Sequence, residues 1–186
     1  MILRAFVLST LFAVPAVALA QPATIQPQTV LSAVTGDWNN DGSMDRAILV
    51  ANDDDGADLL VYLSDGDSMK LNGYAKSFVW DGEVWGTLPQ LQLSASGALQ
   101  VHAENTGSGR DHWEQVYNLT LRDGKMVVAG MTSTSNDTLD PKNSHKCDIN
   151  FLSGKGTADG KAVTVQGAAP TVSAWTEGDI PDACQF

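Results

Sequence analysis

Positive charge is scarce in this sequence, with 11 Lys and Arg against 22 Asp and Glu in 186 residues, a net charge of −11. Nucleic acid and anionic lipid are held by clustered Lys and Arg, so the balance excludes both as partners. Cysteine is almost absent: only Cys147 and Cys184 are present. They form no Cys-x-x-Cys, which removes a thioredoxin-like site and a zinc knuckle. His102, His112 and His145 lack the i, i+4 or short-pair spacing of a zinc site. There is no Gly-x-Ser-x-Gly, and Gly154-Lys155-Gly156 lacks the spacing and the following Ser or Thr of a phosphate loop. Glu83, Glu104, Glu114 and Glu177 could supply glycosidase carboxylates, but nothing in the sequence pairs them. No catalysis is expected.

Long apolar runs are also few. The one run, Ala5 to Ala18, follows Arg4 and ends at Ala18-Leu19-Ala20, a small-x-small cleavage site. It is shorter than the roughly 20 residues that span a bilayer, so residues 1–20 are expected to be a signal peptide. The mature chain would begin at Gln21, with ten basic residues against 22 acidic ones, a net charge of −12, and no membrane insertion. A periplasmic or secreted location follows. In such a compartment Cys147 and Cys184 are expected to form a disulfide that pins the C-terminal tail and Trp175 to the body. Residues 21–29, rich in Pro, Gln and Thr, read as a flexible lead-in. Residues 30–186 read as a single domain, long enough to bury a substantial core.

No sustained 3.6-residue apolar stripe appears. Instead the chain breaks into short strands between turn signals. Ala47 to Val50 and Leu59 to Leu63 are apolar runs of strand length around the polar turn Asn52 to Gly56. Leu91 and Leu93 alternate with Gln90 and Gln92; Leu99, Val101 and Ala103 alternate with Gln100 and His102; Tyr117, Leu119 and Leu121 continue the pattern. Asp123-Gly124 is a two-residue hairpin signal before Met126 to Ala129. Ile149 to Leu152 and Ala162 to Val165 read as later strands, and Thr132 to Ser144 as a long polar surface loop. The expected class is all-β, with antiparallel sheets arranged as a sandwich, an open barrel or propeller-blade-like stacked sheets.

The sharpest local pattern is Asp37-Trp38-Asn39-Asn40-Asp41-Gly42-Ser43-Met44-Asp45. Alternate oxygen-bearing side chains converge on one ion when the backbone coils, and Gly at the sixth place permits the sharp turn. Asp37, Asn39, Asp41 and Asp45 would supply side-chain oxygens, and Ser43 its carbonyl. This hard, all-oxygen set suits calcium better than zinc, which takes Cys and His, or magnesium, which keeps its waters. The twelfth place is Ile48, where an EF-hand has its bidentate Glu, and a strand follows where an EF-hand has a helix. Affinity is therefore expected in the weak extracellular range, on the order of 10⁻⁴–10⁻³ M.

From Gly36 through Asp37-Trp38-Asn39-Asn40-Asp41-Gly42-Ser43-Met44-Asp45 into Arg46-Ala47-Ile48-Leu49, the segment resembles the calcium loop of FG-GAP/VCBS-type repeats. In those, a Gly-Asp-aromatic-Asn-x-Asp-Gly-x-x-Asp loop leads into an apolar strand. The resemblance covers about Val34 to Leu63, and implies the same ligands, with Trp38 packed under the loop. A second reading is a module for an extracellular glycan or protein partner, using Trp80, Trp85, Trp113 and Arg110. A third is a hydrolase whose site carries no recognised motif.

Overall fold

Strand-forming residues between Gly- and Asp-rich turns produce an all-β molecule in the computed structural model, which describes residues 24–82, 87–107 and 109–186. The expected signal peptide, residues 1–20, lies outside these residues, as does Trp85. Strands β1 (Val30–Gly36), β2 (Asp45–Ala51), β3 (Gly56–Asp65) and β4 (Ser68–Trp80) form one up-and-down antiparallel sheet. Seven further strands form the second. They are β5 (Gln90–Leu93), β6 (Leu99–Asn105), β7 (Asp111–Arg122), β8 (Lys125–Asp137), β9 (Ser144–Asn150), β10 (Lys155–Ala158) and β11 (Lys161–Thr164). Each pairs only with its sequence neighbours, so the second sheet is also a meander and neither closes into a barrel. Among the described residues no helix is long and apolar enough to cross a membrane.

The two sheets stack through their apolar faces. Ala47, Leu49, Leu59 and Val61 of the small sheet share one core with Val101, Tyr117, Leu119, Val128, Met131 and Ile149 of the large one. Alternation along each strand sends these residues inward and their neighbours outward. A bond from backbone to side chain fastens the sheets at one edge, Leu91 N–H donating to Ser32 Oγ at 2.9 Å.

At the other edge the C-terminal tail is the fastener. Val172 is fully buried and Trp175 nearly so. The Trp175 ring meets Tyr117 edge-on at 5.5 Å and Phe151 at 5.7 Å, and lies 6.0 Å from Phe78. Val128 N–H donates to Pro170 O, and Tyr74 N–H to Ser173 Oγ, so the tail bonds to both sheets. Gly73 makes room for it: a Cβ there would stand 3.1 Å from Val172 Cβ. A disulfide joins Cys147 on β9 to Cys184, 37 residues later, with a Cα–Cα distance of 5.4 Å. The tail is thereby held by apolar burial and a covalent link.

Two segments differ from the sequence reading. Thr132 to Ser144 is not one long loop. β8 continues to Asp137 in unbroken register with β7 and β9, leaving only residues 138–143 as the connection. Polar Ser and Thr can alternate across a sheet as apolar residues do, and here pairing on both sides supplies what hydropathy does not show. The strand expected at Ile149 to Leu152 ends at Asn150, where Phe151 turns into the core against Trp175.

Candidate functional site

The Asp37–Asp45 loop is built on the β1–β2 hairpin, where Gly36 and Asp45 are cross-strand partners. Gly36 is needed for close approach: a Cβ there would lie 2.8 Å from the Trp38 indole nitrogen. That contact lets Trp38 fold beneath the loop into the core, with its Nε1–H buried and without a partner. Asn40 and Gly42 then take left-handed backbone, φ 58° and 85°, which bends the chain back on itself. Asn and Gly are the residues that do this at least cost.

The bend brings three side chains together. Asp41 N–H is shared by Asp37 Oδ1 at 3.1 Å and Asn39 Oδ1 at 3.0 Å. Gly42 N–H donates to Asp37 Oδ2 at 3.0 Å. Ser43 N–H donates to Asp41 Oδ1 at 2.7 Å, and Asn39 Nδ2 to Asp41 Oδ2 at 2.7 Å. These donors favour the carboxylate form, so the Asp41 carboxyl is held below its usual range, first by Ser43 N–H and next by the Asn39 side chain.

Asp45 has a different place. It is wholly buried, its Oδ2 accepting from Trp38 N–H at 2.8 Å and its Oδ1 from Ser64 N–H at 2.9 Å. One carboxylate thus ties the start of the loop to the end of β3. Ser64 Oγ also reaches Asp41 Oδ2 at 3.4 Å. The sequence reading did not single out Ser64. It lies 19 residues from Asp45, and only the β2–β3 register, with Arg46 opposite Tyr62, brings it near. Arg46 turns its Nη1 to the carbonyls of Met44 and Asp45, at 2.7 and 2.9 Å. Among the described residues no Lys, Arg or His side chain forms an ion pair with Asp37, Asp41 or Asp45.

The donor set is hard oxygen throughout, and each carboxylate has about four lone-pair sites, of which these bonds use only some. A buried carboxylate is ordinarily paired or metal-bound, and Asp45 has two peptide dipoles only. On this chemistry the residues fit a divalent cation of the calcium type. Among the described residues, no group of three or more His, Cys, Asp or Glu stands arranged as a metal site. The fit therefore rests on mixed Asp, Asn and backbone oxygens.

No family model, no curated protein and no solved structure matches this chain significantly.

Of the residues of the second reading, Trp80, Trp113 and Arg110 are among the described residues. Trp80 and Trp113 meet, their ring centroids 5.8 Å apart and tilted by 58°. Arg110 is engaged by Asp137: its Nε donates to Asp137 Oδ1 at 2.7 Å and its Nη2 to Asp137 Oδ2. Asp137 also accepts from Leu139 and Asp140 N–H, closing the β8–β9 connection. The guanidinium, with those N–H groups, holds the Asp137 carboxyl down to about 2. The fork is thus spent on holding two loops together, with Thr138 N–H donating to Arg110 O. His112 sits half-buried in β7 beside Trp113, while His102 faces Glu114 at 2.7 Å and His145 faces Asp159 at 2.9 Å. In the turn between β2 and β3, Asp53, Asp54 and Asp55 are exposed. Asp58 is buried, accepting from Asn52 Nδ2, Ser77 N–H and Tyr74 OH.

Proposed function

We propose that this is an exported β-protein whose Asp37–Asp45 loop binds calcium as a structural ion, without catalysis. The observation that carries this reading is the shared donor at Asp41 N–H. It draws the oxygens of Asp37 and Asn39 to one point beside Asp41, in a loop bent at Gly42. Asp37, Asn39 and Asp41 would hold the ion, with the Ser43 carbonyl and Asp45 completing the set. A bound calcium ion would supply positive charge to a loop carrying three carboxylates.

Other features support the reading. A four-stranded antiparallel sheet is the form of a propeller blade, and the loop opens such a sheet between its first and second strands. This agrees with the FG-GAP/VCBS resemblance of the loop itself. The N-terminal signal-like segment and the disulfide are both compatible with an oxidising compartment, periplasmic or extracellular.

Calorimetric titration of chelator-treated protein tests the proposal. One calcium per chain is expected, with a dissociation constant on the order of 10⁻⁴–10⁻³ M and little response to magnesium. Asp41→Ala should remove the heat of binding. Absence of a calcium heat in the unaltered protein would contradict the reading.

A further inference from the structure

The inner face of the large sheet changes character along β7 and β8. Tyr117 opposite Met131 is buried core, but the next pairs on the same face are Gln115 opposite Ser133 and Trp113 opposite Ser135. Polar side chains on the core side of a sheet need partners or a ligand. The tail crosses above them and leaves a cavity of about 430 Å³, lined by these four residues with Gln185 and Phe186 among others. A second cavity, about 340 Å³, shares Trp113, Ser135 and Phe186 and continues the groove toward His112 and His145. These volumes lie in the range of small-molecule sites, roughly 300–1,000 Å³.

The walls are aromatic and braced. Trp113 is backed by Trp80 at 5.8 Å, and Phe186 stacks on His145 with centroids 5.0 Å apart and planes 17° apart. The tail that carries Phe186 is tethered by the Cys147–Cys184 disulfide. The floor consists of hydroxyls and carboxamides, which donate and accept alike. Gln115 Oε1 accepts from Tyr117 OH at 3.0 Å, so its amide group is the part that can donate. The side chains lining the larger cavity carry no charge.

A ligand matching this groove has an apolar face for an indole and a rim of hydroxyls for Ser and Gln. The net charge of −11 disfavours an anionic ligand. We propose that the groove between β7–β8 and the disulfide-tethered tail binds one or two neutral pyranose rings of a glycan. The site is separate from the Asp37 loop, and its use does not depend on the calcium reading.

The test is titration of the full mature protein, in buffer containing calcium, with maltose, cellobiose and N,N′-diacetylchitobiose. Digalacturonic acid is the charged control, and tryptophan fluorescence and calorimetry are the readouts. Keeping calcium present prevents a failure of the metal site from mimicking a failure of this one. Saturable binding of at least one neutral disaccharide is expected, weakened about tenfold or more by Trp113→Ala. Ser135→Phe, which fills the groove from a half-buried strand position, should abolish it, and this variant decides alone if Trp113→Ala does not fold. The proposal is overturned if no neutral disaccharide saturates, if only the acidic one binds, or if a folded Ser135→Phe binds as well as the unaltered protein.

Discussion

The Asp37–Asp45 loop and the C-terminal tail both bring an excursion of chain back onto the sandwich, and they do it by opposite physics. The tail is held by Val172 and Trp175 in the core and by a disulfide, so its attachment is insensitive to ions and moderate pH. The loop also places Trp38 in the core, but its turn is held by carboxylates that accept peptide N–H groups, with Asp45 buried at its base. Carboxylates concentrated in so short a segment repel one another, and the strength of that attachment follows the charge brought near them. The contrast is between an attachment made by apolar burial and a covalent bond and one whose turn is made by carboxylate hydrogen bonds.

The largest expected effect lies on the tail side. Reduction of Cys147–Cys184 should cost about 4 kcal/mol in the chain-entropy model for a loop of this length, read as a lower urea midpoint with and without reductant. If reduction left the midpoint unchanged, the tail would be held by Trp175 and its neighbours alone, and the contrast would rest on burial.

Next comes Asp45→Asn. An amide offers one acceptor where the carboxylate offers two, and its NH₂ would face either Trp38 N–H or Ser64 N–H. A loss of about 1–3 kcal/mol is expected from one unsatisfied buried donor, measured by urea unfolding in chelator. A neutral substitution would mean that Asp45 does not anchor the loop.

A smaller effect is expected from acid. The Asp137 carboxyl is depressed from an ordinary 3.8 to about 2, so its contribution to stability is present above about pH 4 and is lost as pH falls through about 2. Asp41 and Asp159 are depressed too and add in the same direction, the latter through His145 and Lys146 N–H. Melting against pH should show the unaltered protein losing stability faster than Asp137→Asn below about pH 4. Parallel curves would remove Asp137 from the acid response.

Local signals explain what was legible beforehand. Alternation marked the inward face of β6 and β7, and Asp123-Gly124 marked the turn between β7 and β8, where both residues take positive φ, 49° and 75°. The Asp37 loop was readable because its oxygens lie at fixed short spacing. Ser64 was not, because its role depends on which strand pairs with β2. Ser133 and Ser135 were hidden within a polar stretch that looks like loop, and only the register with Gln115 and Trp113 turns them toward the cavity. The engagement of Arg110 by Asp137 was equally invisible, since 27 residues separate them.

The most direct measurement of the central claim is the thermal midpoint of chelator-treated protein with and without about 10 mM calcium. For a dissociation constant on the order of 10⁻⁴–10⁻³ M, mass action stabilises the fold by about 1.4–2.7 kcal/mol. For a chain of this size the midpoint should rise by roughly 3–10 °C. Asp41→Ala should show no rise, and an unaltered protein whose midpoint ignores calcium would contradict the account.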